Sequence, residues 1–320
     1  MSVQSVSIGS MFGWVAGAFG LLKKNPLVLM AASGLMLLFG LLMCVPMLLV
    51  MSASVFANMK SGGLPASMPM AGNLTLFWVM YGVTILLFLL LFPPMLVGWF
   101  RLCRDIDQGN AASGPDILRP YQDRQLWLRG IGFALLVFLV YILVFGLFGF
   151  AFGGLFSGFL SEVAAQQAAT LAGAPPAPPH ITAGLVLAYF LFFGVSVLLQ
   201  LSYMLGFAEL ALRPTSAPGA LKIAAIGVAR NLLKLIVFLV GLCFISFIAF
   251  ILIAIVLGAI IGLLSLVHWS LAILATLLLY IPFLLCIYPL LFAGQYLAWK
   301  DLLGDGESPM TDTTGSSIAA

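Results

Sequence analysis

Long apolar stretches fill most of the chain, and the charged residues gather in the short segments between them. About 20 consecutive apolar residues are needed to cross a hydrocarbon core of ~30 Å. Six stretches reach that length. They run from Pro26 to about Val55, Leu74 to Phe100, Gly130 to Leu160 and Ile181 to Leu212, then from near Asn231, and finally to near Trp299 with a turn around Ser265–Trp269 separating the last two. Pro26 falls in the first turn of the first stretch, where a missing N–H costs nothing. Pro46, Pro93, Pro94, Pro282 and Pro289 lie within stretches and predict kinks. Three shorter segments precede the hairpin-like pairs: residues 10–24, a helix opened by Pro115-Asp116 and ending at Leu126-Trp127-Leu128, and residues 213–230 with a helix from Pro218. Each is too short to span and predicts a helix lying in the membrane interface, the first anchored by Trp14, Lys23 and Lys24. Residues 58–73 and 161–180 are rich in Gly, Pro, Ala or Gln and predict loops, and residues 303–320 predict a disordered cytoplasmic tail.

The predicted fold is therefore all-α: a polytopic membrane protein whose single domain, residues 1–302, holds six transmembrane helices. Composition agrees. Only 7% of the 320 residues are charged and 63% are hydrophobic, against ~25% charged in a soluble domain, so lipid is the expected solvent. A net charge of +3 without any Lys/Arg run argues against a nucleic-acid partner. No secretory signal peptide is expected, because the first 22 residues carry no charge and the first lysines follow the apolar stretch. Cys44, Cys243 and Cys286 sit in apolar runs and Cys103 in a charged segment, which suggests no disulfide framework.

Charge also predicts orientation. Of 13 Lys and Arg residues, Lys23, Lys24, Arg101, Arg104, Arg119, Arg124, Arg129, Arg213, Lys222, Arg230, Lys234 and Lys300 fall on one side of the six crossings, and only Lys60 falls on the other. By the positive-inside rule the first set is cytoplasmic, with both termini inside. The same cations attract anionic headgroups at about 1 kcal/mol each, so membrane lipids are expected partners.

Two stretches match at an offset of 196 residues: Pro93, Gly98, Phe100, Arg104 and Asp105 against Pro289, Gly294, Tyr296, Lys300 and Asp301. Upstream, Lys24-Asn25 corresponds to Arg230-Asn231, and a looser middle block runs from Arg129 to Arg213. The blocks, about 10–110, 115–213 and 217–302, each contain two crossings, which makes them parallel helical-hairpin repeats, each led by an interfacial helix. Four-residue spacings at Gly149/Gly153, Gly154/Gly158 and Gly258/Gly262 predict flat helix faces. Packing inside the bundle is the first expectation for them, and a homo-oligomer or another membrane protein the alternative.

GWVAGAFGLLKKNP, FPPMLVGWFRLCRDIDQG, ALKIAAIGVARN and YPLLFAGQYLAWKDLLG together resemble an uncharacterised proteobacterial family of six-helix membrane proteins. That family is similar to YciC-type inner-membrane proteins and, more remotely, to the membrane portion of bacterial glycerophosphoryl diester phosphodiesterases. The resemblance implies a bacterial inner-membrane location and a six-helix fold, and it brings no activity; the soluble catalytic domain of those phosphodiesterases has no counterpart here.

Candidate chemistry is sparse. No zinc-type ligand spacing occurs, and neither a metal nor a cofactor is expected. The two histidines, His180 and His268, fall on the outer side in this topology while every aspartate falls inside, so ~30 Å of hydrocarbon separates them and an aspartate-based hydrolytic triad is excluded. Glu162 shares a loop with His180 but has no nucleophile placed beside it. The polar candidates inside or at the edge of the membrane are Gln200, Glu209, Asn231 and Gln295, and the repeat-end motif supplies Arg104, Asp105, Lys300 and Asp301. Glu209 lies one turn before Arg213, so an i,i+4 ion pair near the interface, with the carboxylate paired or solvated, accounts for it without a transport role. The expected function is a non-enzymatic inner-membrane protein of structural, assembly or envelope-regulatory role. The alternative is a small-solute or lipid transporter or channel.

Overall fold

The computed structural model describes residues 9–60, 74–265 and 269–304, apart from residues 172, 174, 176, 177 and 179. Helices account for nearly all of it, and there is no strand among the described residues. They are α1 (Ser10–Lys24), α2 (Pro26–Lys60), α3 (Leu74–Asp107), a 3-10 segment (Gly114–Tyr121), α4 (Arg124–Leu171), α5 (Ala183–Leu212), α6 (Ala217–Ser265) and α7 (Trp269–Leu303). Six of these, α2 to α7, are long and apolar enough to cross a membrane, as in a multi-pass membrane protein.

Helix ends follow local chemistry. The chain leaves helical geometry at Asn25 (φ −144°, ψ 69°), and Pro26 starts α2 at once. A second departure occurs at Asn231 (φ −122°, ψ 21°), which bends α6 between its first turns and its membrane stretch. Asp123 opens α4 by accepting the backbone N–H groups of Gln125 (3.0 Å) and Leu126 (3.1 Å), and Thr182 accepts that of Leu185 (3.2 Å) at the start of α5. Pro93 and Pro94 remove two N–H donors from α3, and the Tyr121 hydroxyl donates to the carbonyl of Leu91 in the turn they disturb. Burial pushes the Tyr121 phenol up, so it stays a donor.

Four expected boundaries change. α2 runs to Lys60, past the expected end near Val55 and into the segment expected as a loop. The segment 161–180 is not a loop throughout, because α4 continues through residues 161–171, whose Glu, Ala and Gln are strong helix formers. The helix expected from Pro115 to Leu128 divides: Ser113 and Asp116 cap a short 3-10 segment, and the Asp123 cap then gives residues 126–128 to α4. Cys103 is fully buried in α3, which runs past the expected end at Phe100. Residues 61–73, the turn residues 266–268 with His268, and most of the predicted tail lie outside the described residues.

α3, α5 and α7 each touch the other two. Around them, α2 packs against α3 and α7, α4 against α3 and α5, and α6 against α5 and α7, while α1 lies along α7. Burial is concentrated at the end where α3, α5 and α7 finish. Met95–Phe100 of α3, Leu205–Ala211 of α5 and most of Phe292–Leu303 of α7 supply much of it, with Trp14, Leu29, Phe133 and Leu235 from the surrounding helices. Toward the other end the helices expose large apolar side chains such as Leu143, Phe150, Phe190 and Phe247. The glycines differ accordingly. A methyl group at Gly149, Gly153, Gly154, Gly158 or Gly258 would meet open space, so these faces do not pack inside the bundle as expected. Close approach occurs at the packed end, where a methyl at Gly206 would strike the Phe133 ring and one at Gly98 the backbone of Ile117.

Gly98→Ala should therefore force α3 away from the 3-10 segment. Overpacking of a tight contact costs about 1–3 kcal/mol, read as a lower thermal midpoint in detergent. Gly132→Ala, whose methyl points into open space, should melt at or slightly above wild type. Equal midpoints for the two variants would contradict the close approach.

Candidate functional site

Polar groups from distant parts of the chain meet where α3, α5 and α7 end. Glu209, in the last turn of α5, is fully buried. The Trp299 indole of α7 donates to its Oε2 at 2.9 Å, and the Arg213 guanidinium stands 3.5 Å from its Oε1. Arg213 is itself only 10% exposed and lies over the Trp299 ring, 5.5 Å from the centroid. A buried carboxylate is costly unless paired and hydrogen-bonded, and here one cation and one indole supply both while contacting each other. The i,i+4 partner is where the spacing placed it. Of the two states expected for the carboxylate, paired or solvated, it is the paired one, and Trp299 of α7 adds a partner from another helix.

A second knot forms around Asp107, which sequence reasoning did not single out. Lys300 Nζ lies 2.8 Å from its Oδ2, and the Tyr296 hydroxyl donates to the same oxygen at 3.0 Å. Lys24 Nζ stands 3.9 Å from its Oδ1 and donates to its backbone carbonyl at 3.3 Å. The neighbouring Trp14 indole of α1 donates to Asp301 at 2.6 Å. The repeat-end residues thus have separate partners. Lys300 does cross to α3, but to Asp107, while Arg104 stands 3.9 Å from its neighbour Asp105. A third tie closes the set: Arg101 Nε of α3 donates to the Ala211 carbonyl at 3.0 Å, satisfying one of the acceptors that the end of α5 leaves over. Each pair among α3, α5 and α7 is joined by at least one of these ties.

The remaining candidates lie apart. Asn231 is buried at the bend of α6, where its Nδ2 donates to the Gly227 carbonyl (3.3 Å) and its Oδ1 accepts from Lys234 (3.3 Å). Gln295 of α7 has a buried Oε1 without a hydrogen-bond partner among the described residues. Gln200, midway along α5, is exposed and accepts from the Tyr141 hydroxyl at 3.4 Å. It borders a cleft of about 300 Å³ between α3, α4 and α5, whose walls include Phe88, Phe92, Val137 and Tyr203. At the opposite end of the bundle from Glu209, Glu162 accepts the backbone N–H of His180 at 3.1 Å. Among the described residues no three His, Cys, Asp or Glu side chains converge as metal ligands would.

Sequence reasoning missed Asp107, Trp14, Tyr296 and Trp299 as members of the junction. The available signal was the clustering of aromatic residues with N–H or O–H groups beside the charged helix ends, a pattern usually credited to interface anchoring. The chain matches no protein-family model, no curated protein and no solved structure.

Glu209→Gln keeps an acceptor for Trp299 but leaves Arg213 without its counter-charge. Breaking a buried pair from one side costs ~3 kcal/mol, so this variant should melt well below wild type in detergent. Trp299→Phe, which leaves a buried carboxylate oxygen unpaired, should cost about 1–3 kcal/mol. The double variant should fall short of the sum. A wild-type midpoint for Glu209→Gln would mean that the carboxylate is hydrated.

Proposed function

We propose that the protein is a non-enzymatic, multi-pass protein of the bacterial inner membrane with a structural, assembly or envelope-regulatory role. The observation that carries this reading is the closed junction joining α3, α5 and α7. Glu209, Arg101, Asp107 and Lys300 are each committed to a partner on another helix, an arrangement suited to holding a bundle shut. A translocating carboxylate has to change protonation or ligand state in a desolvated site, whereas Glu209 is pinned by an indole and a guanidinium. Its partners in this reading are membrane lipids and a second copy or another membrane protein.

The same proposal includes three parallel helical hairpins with both termini in the cytoplasm. In support, the cation-Asn pairs at Lys24-Asn25 and Arg230-Asn231 both stand where helical geometry breaks before a membrane helix. Gly98 and Gly294, 196 residues apart, both sit where an added methyl would collide with a neighbouring element. The resemblance to YciC-type inner-membrane proteins belongs to this proposal too. In a cysteine-free background, a single cysteine at Ala168 should react with a membrane-impermeant maleimide in intact cells. Cysteines at Asn110 and Ser216 should react only after permeabilisation, and labelling at Asn110 from outside would reverse the topology.

A second reading, a transporter of small solutes or lipids, is favoured by the cleft at Gln200. Flux separates the two. Vesicles reconstituted with the protein should release a trapped fluorescent solute, and scramble a labelled lipid, no faster than protein-free vesicles. Flux that Gln200→Leu abolishes would replace the structural role with transport.

A further inference from the structure

Gln200 poses a problem that its neighbours do not solve. It lies 13 residues before Arg213, about 20 Å along α5 at 1.5 Å per residue. Tyr141 lies 12 residues after Arg129, about 18 Å along α4. Both therefore stand near the middle of a ~30 Å hydrocarbon core. There Gln200 is exposed, and its one side-chain hydrogen bond among the described residues is the long one from Tyr141, in which the amide oxygen is the acceptor. The two N–H donors of the amide have no acceptor among the described residues, a costly condition in hydrocarbon.

The space beside it restricts what meets that need. The cleft holds about 300 Å³, at the lower end of ligand sites. Phe88 and Phe92 stack at 4.4 Å on its α3 wall, and the Tyr203 ring faces it from α5. No charged side chain lines it, so a charged ligand would have no counter-ion. An occupant must be uncharged, soluble in hydrocarbon, flat enough to lie against aromatic rings, and able to present a hydrogen-bond acceptor at mid-depth. Phospholipid and diacylglycerol fail on the last point, because their ester carbonyls lie at the edge of the core, ~15 Å from its centre. Their acyl chains would fill the cleft and leave the amide bare.

We propose that this cleft binds the head group of an isoprenoid quinone. A quinone ring is planar and neutral, carries carbonyl acceptors that the Gln200 amide can reach, and brings a hydrocarbon tail that continues into the surrounding lipid. The site is for binding only, with no redox step, and it goes beyond the structural role proposed above. A closed junction at the base and an occupied cleft at mid-depth are independent features of the same bundle.

The test uses the full-length protein in detergent, with ubiquinone bearing one isoprene unit as the probe and equilibrium dialysis as the readout. An azido-quinone identifies the site by photolabelling and peptide mapping. One-site saturable binding is expected, with label on α3, α4 or α5 peptides around the cleft. Gln200→Leu should weaken binding about tenfold, and Val137→Phe, which narrows the cleft, should weaken it further. Gln166→Leu, on the extension of α4 away from the cleft, should bind as wild type. Gln200→Asn shortens the amide with little disturbance of packing, so it supplies the same comparison if the leucine variant folds poorly. The proposal is overturned by a lack of saturable binding, by equal affinity in a well-folded Gln200 variant, by label outside the cleft, or by displacement with equimolar dioleoylglycerol. That last outcome would show acyl chains, not a quinone ring, filling the space.

Discussion

Lipid gives apolar helices no hydrophobic reason to associate, because the tails around them are as apolar as leucine. Contacts between helices must then come from close van der Waals fit and from polar groups that hydrocarbon cannot satisfy. This protein concentrates both at one end. The Glu209 carboxylate is the clearest case: without Trp299 and Arg213 it would be a buried, uncompensated charge. With them, it fixes the end of α5 against α7. The Arg101–Ala211 and Lys300–Asp107 ties do the same for the other two pairs of helices. α1 is drawn into the arrangement by Trp14 on Asp301 and Lys24 on Asp107. Much of the buried core follows from this junction, since Trp99, Phe100, Phe207 and Phe292 pack in the turns just above it.

The fold class was legible because its signals are local. Apolar length marks the crossings, and Asn25 and Asn231 stand where a helix breaks ahead of a membrane stretch, whereas the cap at Asp123 was not read. The helical state of residues 161–171 was legible in principle from their Glu, Ala and Gln, but the nearby proline-rich run outweighed it. What could not be read was pairing across 90 to 193 residues, as between Glu209 and Trp299 or Asp107 and Lys300. A cation beside a helix end looks the same in sequence whether it faces headgroups or a carboxylate on another helix. Glu209 shows the limit well. Its i,i+4 relation to Arg213 is a property of one helix, while its burial depends on where α7 lies.

The glycines make the same distinction. Gly98 and Gly206 are contact points because elements from elsewhere in the chain reach them, and Gly149 and Gly153 are not, although their spacing looks better suited to packing. Close approach requires a neighbour, and neighbours are supplied by the junction. α4, 48 residues and about 72 Å long in all, continues away from it with large apolar side chains facing outward.

These two regions treat polarity in opposite ways, and function should divide along the same line. At the junction, acids and bases neutralise one another and leave little charge for a ligand. In the cleft the polar side chains are Gln200, Tyr141 and Tyr203, which carry no charge and stand beside aromatic rings. An amide in hydrocarbon loses more by being unpaired than it gains from a single long hydrogen bond, since its other donors remain unmet. A leucine at position 200 would suit lipid contact better. The physical case for a ligand therefore rests on the amide and not on the charged residues, which already have all the partners their burial requires.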